Sequence, residues 1–154
     1  MTAPARSKMY FEDFAVGSVI EVGNFTVSEA EIIEFATRFD PQPFHVDPAA
    51  AAESMFGGII ASGWHTCSMM MRLMVDGYLR DSSSLGSPGV DEVRWLKPVR
   101  GGDVLRVRSE VLESVPSASR PDRGVIFTQW QAINQRDELV ATIKGRGMFA
   151  RRPS

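Results

Sequence analysis

The chain has 154 residues, the length of a single domain that can bury a core of its own. Its formal net charge of -2 and its pI of about 5.7 argue against a nucleic-acid binder, which would carry a basic balance or a basic face. The single cysteine, Cys67, excludes an internal disulfide and favours a reducing compartment, so we expect a cytoplasmic protein.

The first elements in chain order are a tail and a strand. Residues 1–8 lack the apolar stretch of a signal peptide and predict a disordered tail, followed by one domain over residues 9–151. No apolar run approaches the roughly 20 residues that span a bilayer, so no membrane partner is expected. A short strand is predicted from Val19, and the letters NFTV extend it.

A helix follows, with signals at both of its ends. Ser28 and Glu31 have the spacing of a capping box, in which the serine oxygen accepts from an exposed amide. Pro41 disfavours helical geometry at Asp40, so the helix should end just before Asp40. The letters DPQPFHVDP hold three prolines in nine residues and predict a stiff loop without regular structure.

Two more helices are predicted before the sheet. The letters AAAAES suggest a short helix after Pro48, and a long helix should start at Ser62. Residues at helical spacing mark the expected apolar face of this long helix: Trp64, Cys67, Ser68, Met71, Met74, Val75 and Tyr78. Met69, Met70, Met71 and Met74 are expected to fill core or pocket space.

The rest of the chain predicts a loop and four strands. DSSSLGSPG is the expected loop, and the strands are Val90–Val99, Asp103–Val115, Val125–Asn134 and Leu139–Ala150. Helices followed by a run of strands indicate an α+β domain with a mainly antiparallel sheet. One long helix against one curved sheet is the hot-dog arrangement, which is the predicted fold.

The chemically informative segment is FDPQPFHVDPAAAA. It places a carboxylate, Asp40, five residues before an imidazole, His45, with two prolines between them that stiffen the backbone. An imidazole exchanges protons near neutral pH, and a carboxylate beside it can orient it or share proton transfer to a bound water. The two histidines and one cysteine do not form a metal-ligand cluster, so no metal is expected.

This segment resembles the signature loop of the MaoC-like dehydratases, which include the (R)-specific enoyl-CoA hydratases. Asp40, Pro43, Phe44 and His45 match the family pattern by position, and DPA continues the match. The later letters GGIIASGWHT match the family's turn that opens the hot-dog helix. The likeness spans about residues 19–76.

The resemblance implies a hydratase or dehydratase, a carbon-oxygen lyase. Asp40 and His45 would activate one water that adds to the β-carbon of a 2-enoyl thioester, carried by CoA or by an acyl-carrier protein. CoA is then part of the substrate, and no separate cofactor is expected. The resemblance also implies a homodimer or higher homo-oligomer.

The N-terminus of the long helix is the expected binding site for the thioester. Its first amides lack partners within the helix, and the Gly63 amide is the candidate donor to a developing oxyanion. Ser62 and Trp64, on either side, and Gln42 in the loop are the other expected substrate-binding residues. Ser62 can also be an N-cap and Gly63 a packing residue.

Two positions depart from the family pattern. Gln42 replaces the usual asparagine, and Met71 stands where the hydratases often carry a serine close to the aspartate. Ser68, one turn earlier, is a candidate to replace that serine in part. His65 is a further residue that can face the site or simply be buried.

Two other functions remain open from the sequence. A hot-dog thioesterase would place its carboxylate on or beside the long helix, and Glu53 is the nearest acid before that helix. A non-catalytic acyl-binding module is compatible with Gln42 and Met71.

Overall fold

The structure is a computed structural model, and it describes residues 7–154. The predicted tail lies outside the described residues except for Ser7 and Lys8, which are exposed. No helix among residues 7–154 is long and apolar enough to cross a membrane.

One strand comes first, the helices follow it, and the remaining strands come after the helices. A single 3-10 turn, Phe11–Asp13, precedes the first strand. The helices and strands of residues 7–154 are, in chain order, β1 (Val19–Thr26), α1 (Glu29–Phe39), α2 (Pro43–Val46), α3 (Pro48–Glu53), α4 (Gly63–Met74), β2 (Ser84–Trp95), β3 (Val104–Pro116), β4 (Arg123–Ile133) and β5 (Leu139–Ala150). A π-helical turn, Val75–Leu79, continues α4 towards β2.

The five strands form one antiparallel sheet in the order β1-β3-β4-β5-β2. Residues of α4 pack against the sheet in a shared core that includes Met70, Met74, Leu105 and Ile126, all fully buried. The predicted hot-dog fold, α+β with a curved antiparallel sheet around one long helix, is confirmed.

The helix boundaries follow the local signals. Ser28 caps α1, and its Oγ accepts from the Glu31 N–H at 3.2 Å. The helix ends at Phe39, where the Asp40 N–H donates to the Ala36 carbonyl and the proline after Asp40 prevents continuation. Asp47 caps α3 by accepting from the amides of Ala49 and Ala50.

The expectation that DPQPFHVDP holds no regular structure is wrong. Residues Pro43–Val46 form the one-turn helix α2 inside this segment. Pro43 stands at the first helical position, where a missing N–H costs nothing and the fixed φ suits the helix. The proline therefore starts a helical turn here, and that turn carries His45.

The predicted loop DSSSLGSPG is also wrong, because the last six of these residues, Ser84–Gly89, belong to β2. The register against β5 shifts between Ser84 and Gly86 and again between Gly86 and Gly89. Both glycines have positive φ, at 102° and 151°, which L side chains rarely adopt. Glycine and proline here mark bulges in an edge strand, where such residues are tolerated.

The predicted apolar face of α4 is displaced around the helix. The buried residues are His65, Thr66, Met69, Met70, Leu73 and Met74, whereas Trp64 and Met71 are 60% and 46% exposed. The helix thus has two apolar stripes, and the sequence pattern alone does not tell which one enters the core. Trp64, Cys67, Met71 and Tyr78 of the predicted stripe border a cavity between α4 and the sheet.

Candidate active site

The site is built where the C-terminal end of α1, the turn α2 and the N-terminus of α4 meet. Asp40 follows α1, and His45 lies on α2. Two backbone hydrogen bonds hold the chain just before α4, one to α2 and one to the segment that follows β2. The Ile60 N–H donates to the Phe44 carbonyl at 3.2 Å, and the Ala61 N–H donates to the Val99 carbonyl at 2.8 Å. These bonds fix the distance between α2 and the beginning of α4.

The structure brings the predicted pair together. Asp40 Oδ2 lies 3.3 Å from His45 Nε2. The His45 side chain is buried, whereas the Asp40 side chain is partly exposed. The proline-rich spacing therefore predicted a real contact between carboxylate and imidazole.

The orientation of the His45 ring is set by a backbone carbonyl. Nδ1 lies 2.6 Å from the Ile60 carbonyl oxygen, which can only accept, so Nδ1 carries the proton and donates. Nε2 is then the ring nitrogen left to accept a proton in the neutral imidazole. Every residue has a backbone carbonyl, so the residue types in the sequence could not identify Ile60 as this partner.

Asp40 accepts hydrogen bonds on both of its carboxylate oxygens. Gln42 Nε2 donates to Oδ1 at 2.7 Å, and Ser62 Oγ donates to Oδ2 at 2.7 Å. These two bonds, first that of Gln42 and then that of Ser62, hold the pKa of Asp40 below its ordinary value against the opposing effect of burial. Asp40 is therefore a carboxylate near neutral pH.

Ser62 does not act as a side-chain cap for α4, because its hydroxyl bonds to Asp40 instead. The side chain is fully buried, so this bond is shielded from solvent. The first amides of α4, beginning with Gly63, thus receive no side-chain cap from Ser62 and have no acceptor within the helix. Ser62 thus stands at the predicted N-cap position of α4 but makes no side-chain cap.

Gly63 has a packing reason to be a glycine. A Cβ built on Gly63 would lie 2.3 Å from Cε2 of Trp95, so the indole occupies the space of the missing side chain. Gly63 also borders a cleft of about 320 Å³. The residues that line this cleft are His45, Phe56, Ile60, Ala61, Gly63, Thr66, Trp95, Leu96, Lys97, Pro98, Val99 and Val140.

A second space, of about 400 Å³, lies between α4 and the sheet, and we call it the cavity. Its walls are mostly apolar, and the main ones are Trp64, Cys67, Met71, Tyr78, Ile126, Trp130, Ile143 and Phe149. Trp64 therefore borders the cavity rather than the cleft. Its predicted contact with substrate stays a prediction, as do those of Gln42, Ser62 and Gly63.

One of the sequence alternatives is corrected by the structure. Ser68 does not replace the missing serine, because its hydroxyl donates to the Trp64 carbonyl at 2.8 Å on its own helix. Met71 faces the cavity. The hydroxyl that reaches Asp40 comes from Ser62, nine positions before Met71.

His65 faces α1 and not the cleft. Its ring stacks on Phe35 with 4.7 Å between centroids and 9° between planes. Burial lowers the pKa of His65, and its Nδ1 has no hydrogen-bond partner among the described residues. A neutral, buried histidine that packs α1 against α4 is the role that these contacts support.

Comparison with known proteins places this arrangement in a family. The sequence profile of the MaoC like domain matches residues 13–128. The chain belongs to the MaoC-like family. Most of the domain is covered by this match, including all the elements that form the site.

Individual relatives of this MaoC-like domain are similar over most of its length. The 3-hydroxybutyryl-CoA dehydratase of Methylorubrum extorquens is 30% identical over 122 residues, which are 76% of this chain and 73% of that protein. A crystal structure of a MaoC-like dehydratase from Rhodospirillum rubrum has 42% identity and a TM-score of 0.87, with 95% and 99% of the two chains covered. The R-hydratase of Pseudomonas aeruginosa, at 24% identity with a TM-score of 0.73 and 95% and 88% coverage, shares the fold.

Proposed function

We propose that the chain is a lyase that adds water to a 2-enoyl thioester, or removes it from a 3-hydroxyacyl thioester. The observation that carries this proposal is the contact between the Asp40 carboxylate and His45 Nε2 beside the N-terminus of α4. A similar protein is named as a 3-hydroxybutyryl-CoA dehydratase, which supports a thioester of CoA as the substrate.

The pair would act on one water molecule. An ionised carboxylate and the free lone pair of Nε2 are both acceptors, so a water that lies beside the two groups can donate one proton to each. In hydration, the water oxygen forms a bond to the β-carbon, one water proton passes to the pair, and a proton from the pair reaches the α-carbon. Because the groups are in contact, proton transfer belongs to the pair and not to one residue.

The N-terminus of α4 would stabilise the enolate that forms in this step. Negative charge on the thioester oxygen is favoured by uncapped amides and by the positive end of the helix dipole. The diversion of the Ser62 hydroxyl to Asp40 supports this role, because it leaves the amides free of a side-chain cap. Gly63 is the first of these amides.

Crotonyl-CoA tests the reaction directly. We expect loss of the absorbance of the conjugated enoyl thioester without release of free thiol, and mass spectrometry should show a gain of one water. Release of thiol would identify a thioesterase instead. Binding of crotonyl-CoA without either change would identify an acyl-binding module.

The protein is expected to act as a homodimer that pairs through β2. This strand is an edge of the sheet, twelve residues long, and it exposes Leu85 and Val90 at 44% and 59%. Long exposed edges with apolar side chains are seldom left unpaired. Light scattering should give twice the 17.0 kDa mass of the chain, and Val90→Lys should give a monomer. Leu112→Lys, at a 41% exposed position on β3, is the control.

A further inference from the structure

The indole of Trp95 lies between the cleft and the cavity. Trp95 and Gly63 border the cleft, whereas Trp64 and Cys67 border the cavity. Trp95 contacts all three of these α4 residues. It fills the space beside Gly63, packs edge-on against Trp64 at 5.3 Å between centroids, and lies near enough to Cys67 to oppose the rise of its pKa on burial.

Strand β2, which ends at Trp95, runs along both the cleft and the cavity. Side chains two residues apart on a strand share a face, so Val93 and Trp95 both point to the side of α4. Val93 borders the cavity and Trp95 borders the cleft. The boundary between the two spaces therefore falls at Trp95, the last residue of β2.

The two spaces differ in what they can bind. The cleft is lined by His45 and by Gly63, the first residue of α4, whereas the cavity offers mostly apolar walls and a volume in the range of small-molecule sites. An alkyl chain that starts at Gly63 and continues past Trp95 would enter this apolar space. Trp95 is 47% exposed, so its indole is not locked into the core and a smaller side chain can replace it.

We propose that Trp95 is the residue that limits acyl-chain length, by closing the passage from the cleft to the cavity. This inference rests on the proposed function, because the cleft is taken as the place of the thioester. The protein then acts on short 2-enoyl thioesters. Replacement of Trp95 by a small residue joins the two spaces and admits longer chains.

The first test compares crotonyl-CoA with trans-2-decenoyl-CoA. We expect wild type to have the higher kcat/KM with crotonyl-CoA, and Trp95→Ala to raise the decenoyl-to-crotonyl ratio of kcat/KM at least tenfold, the scale on which apolar pockets discriminate chain size. The ratio for Trp95→Leu should lie between the ratios for wild type and Trp95→Ala. Leu112→Ala is the control, since Leu112 is 41% exposed on β3 and borders neither the cleft nor the cavity; its ratio should equal that of wild type. A wild-type preference for decenoyl-CoA, or an unchanged ratio in Trp95→Ala and Trp95→Leu, would overturn the proposal.

The second test does not depend on turnover. Cys67 is the only cysteine and borders the cavity, so its alkylation by N-ethylmaleimide reports occupancy of that space. Saturated decanoyl-CoA should slow alkylation in Trp95→Ala and leave the wild-type rate unchanged, whereas butyryl-CoA should protect neither protein. Protection of wild type by decanoyl-CoA would overturn the proposal even if no variant folds. The expected protection pattern in a protein that turns over no enoyl thioester would support the closed passage and reject the proposed reaction.

Discussion

The cleft and the cavity lie on either side of the Trp95 indole, and the polar groups beside the cleft come from a shorter length of chain than the walls of the cavity. The polar groups beside the cleft come from one segment, residues 40–63, in which turns and short helices place these groups within hydrogen-bonding distance of one another. The walls of the cavity come from α4 and from three strands of the sheet, across residues 64–149. The polar groups beside the cleft are therefore held within one short segment, whereas the walls of the cavity depend on packing between α4 and the sheet.

This difference predicts different effects of substitution. A polar group beside the cleft holds or moves a proton, so its loss should lower the rate more than the stability. A residue between the cleft and the cavity is held by packing, so its loss should change both the rate and the stability. The predictions below separate these two kinds of effect.

The largest effect is expected for the pair. Asp40→Asn and His45→Ala should each lower kcat/KM for crotonyl-CoA by about 10²–10⁴-fold, the usual contribution of general acid–base catalysis. The double variant should be little worse than the worse single variant, because the two residues act as one unit. Steady-state kinetics and circular dichroism on the same preparations check both rate and fold.

Glu53→Gln is the control for the pair. Glu53 is exposed at the end of α3, and removal of its charge should leave hydration of crotonyl-CoA unchanged. Activity within a few-fold of wild type in Asp40→Asn or His45→Ala would contradict the mechanism. Loss of hydration in Glu53→Gln would show that a carboxylate outside the pair is required.

A smaller loss is expected for Ser62→Ala. This change removes a buried hydrogen bond to the Asp40 carboxylate, and bonds to charged groups contribute about 1.5–3 kcal/mol, or roughly tenfold to a hundredfold in rate if the bond acts fully in the transition state. Ser68→Ala is a matched control on the same helix, since its hydroxyl bonds only within α4. Equal kcat/KM in both variants would show that Ser62 does not position Asp40.

The sequence predicted the cleft better than the cavity, for a physical reason. Asp40 and His45 are separated by four residues that contain two prolines, so the backbone between them has few conformations. Their contact follows from that short segment. The Ser28 cap and the end of α1 before Pro41 are likewise decided by neighbours in the chain.

The remaining features depend on contacts that are remote in sequence. The Ser62 hydroxyl finds Asp40 across 22 positions, and Trp95 meets Gly63 across 32, which no local pattern encodes. The two apolar stripes of α4 are similarly ambiguous until the sheet covers one of them. Only the glycine at position 63 is a signal of close approach, and its partner is not visible in the sequence.

Gly63→Ala tests the boundary between the two regions. The added Cβ would meet the Trp95 ring at 2.3 Å, so the indole must move, and overpacking of this kind typically costs about 1–3 kcal/mol of stability. Thermal melting should show this loss, and crotonyl-CoA turnover should fall with it. The double variant Gly63→Ala/Trp95→Ala should be less destabilised than the sum of its single changes, because removal of the indole frees the space.

Gly58→Ala provides the comparison for Gly63→Ala. A Cβ at Gly58 would lie 3.5 Å from Arg100 Nη1, an ordinary contact, so little loss of stability is expected. If Gly63→Ala were as stable and as active as Gly58→Ala, the indole would not be held against α4. The Trp95 boundary would then have no structural basis.

The smallest expected effect is a shift of the pH profile in Gln42 variants. The Gln42 side chain is the largest cause of the lowered pKa of Asp40, so Gln42→Ala should raise the pKa of Asp40 towards its ordinary value. The acid limb of kcat/KM for crotonyl-CoA, where Asp40 becomes protonated, should therefore move to higher pH. Gln42→Glu should move it further, because a second carboxylate disfavours the ionised form of Asp40. Gln42→Asn keeps an amide donor and should shift the limb least.

The same substitution changes how stability depends on pH. Since the pKa of Asp40 is lowered by folding, the ionised carboxylate stabilises the native state above the pKa of the unfolded chain, and this contribution disappears as the pH falls through the lower, folded pKa. Gln42→Ala should reduce that acid-sensitive contribution, so its melting temperature should differ from wild type near neutral pH and converge with it in acid. An acid limb that stays in place or moves to lower pH in Gln42→Ala would show that Gln42 does not hold the charge of Asp40. A shift without loss of maximal rate would separate the electrostatic role of Gln42 from the proton transfer performed by the pair.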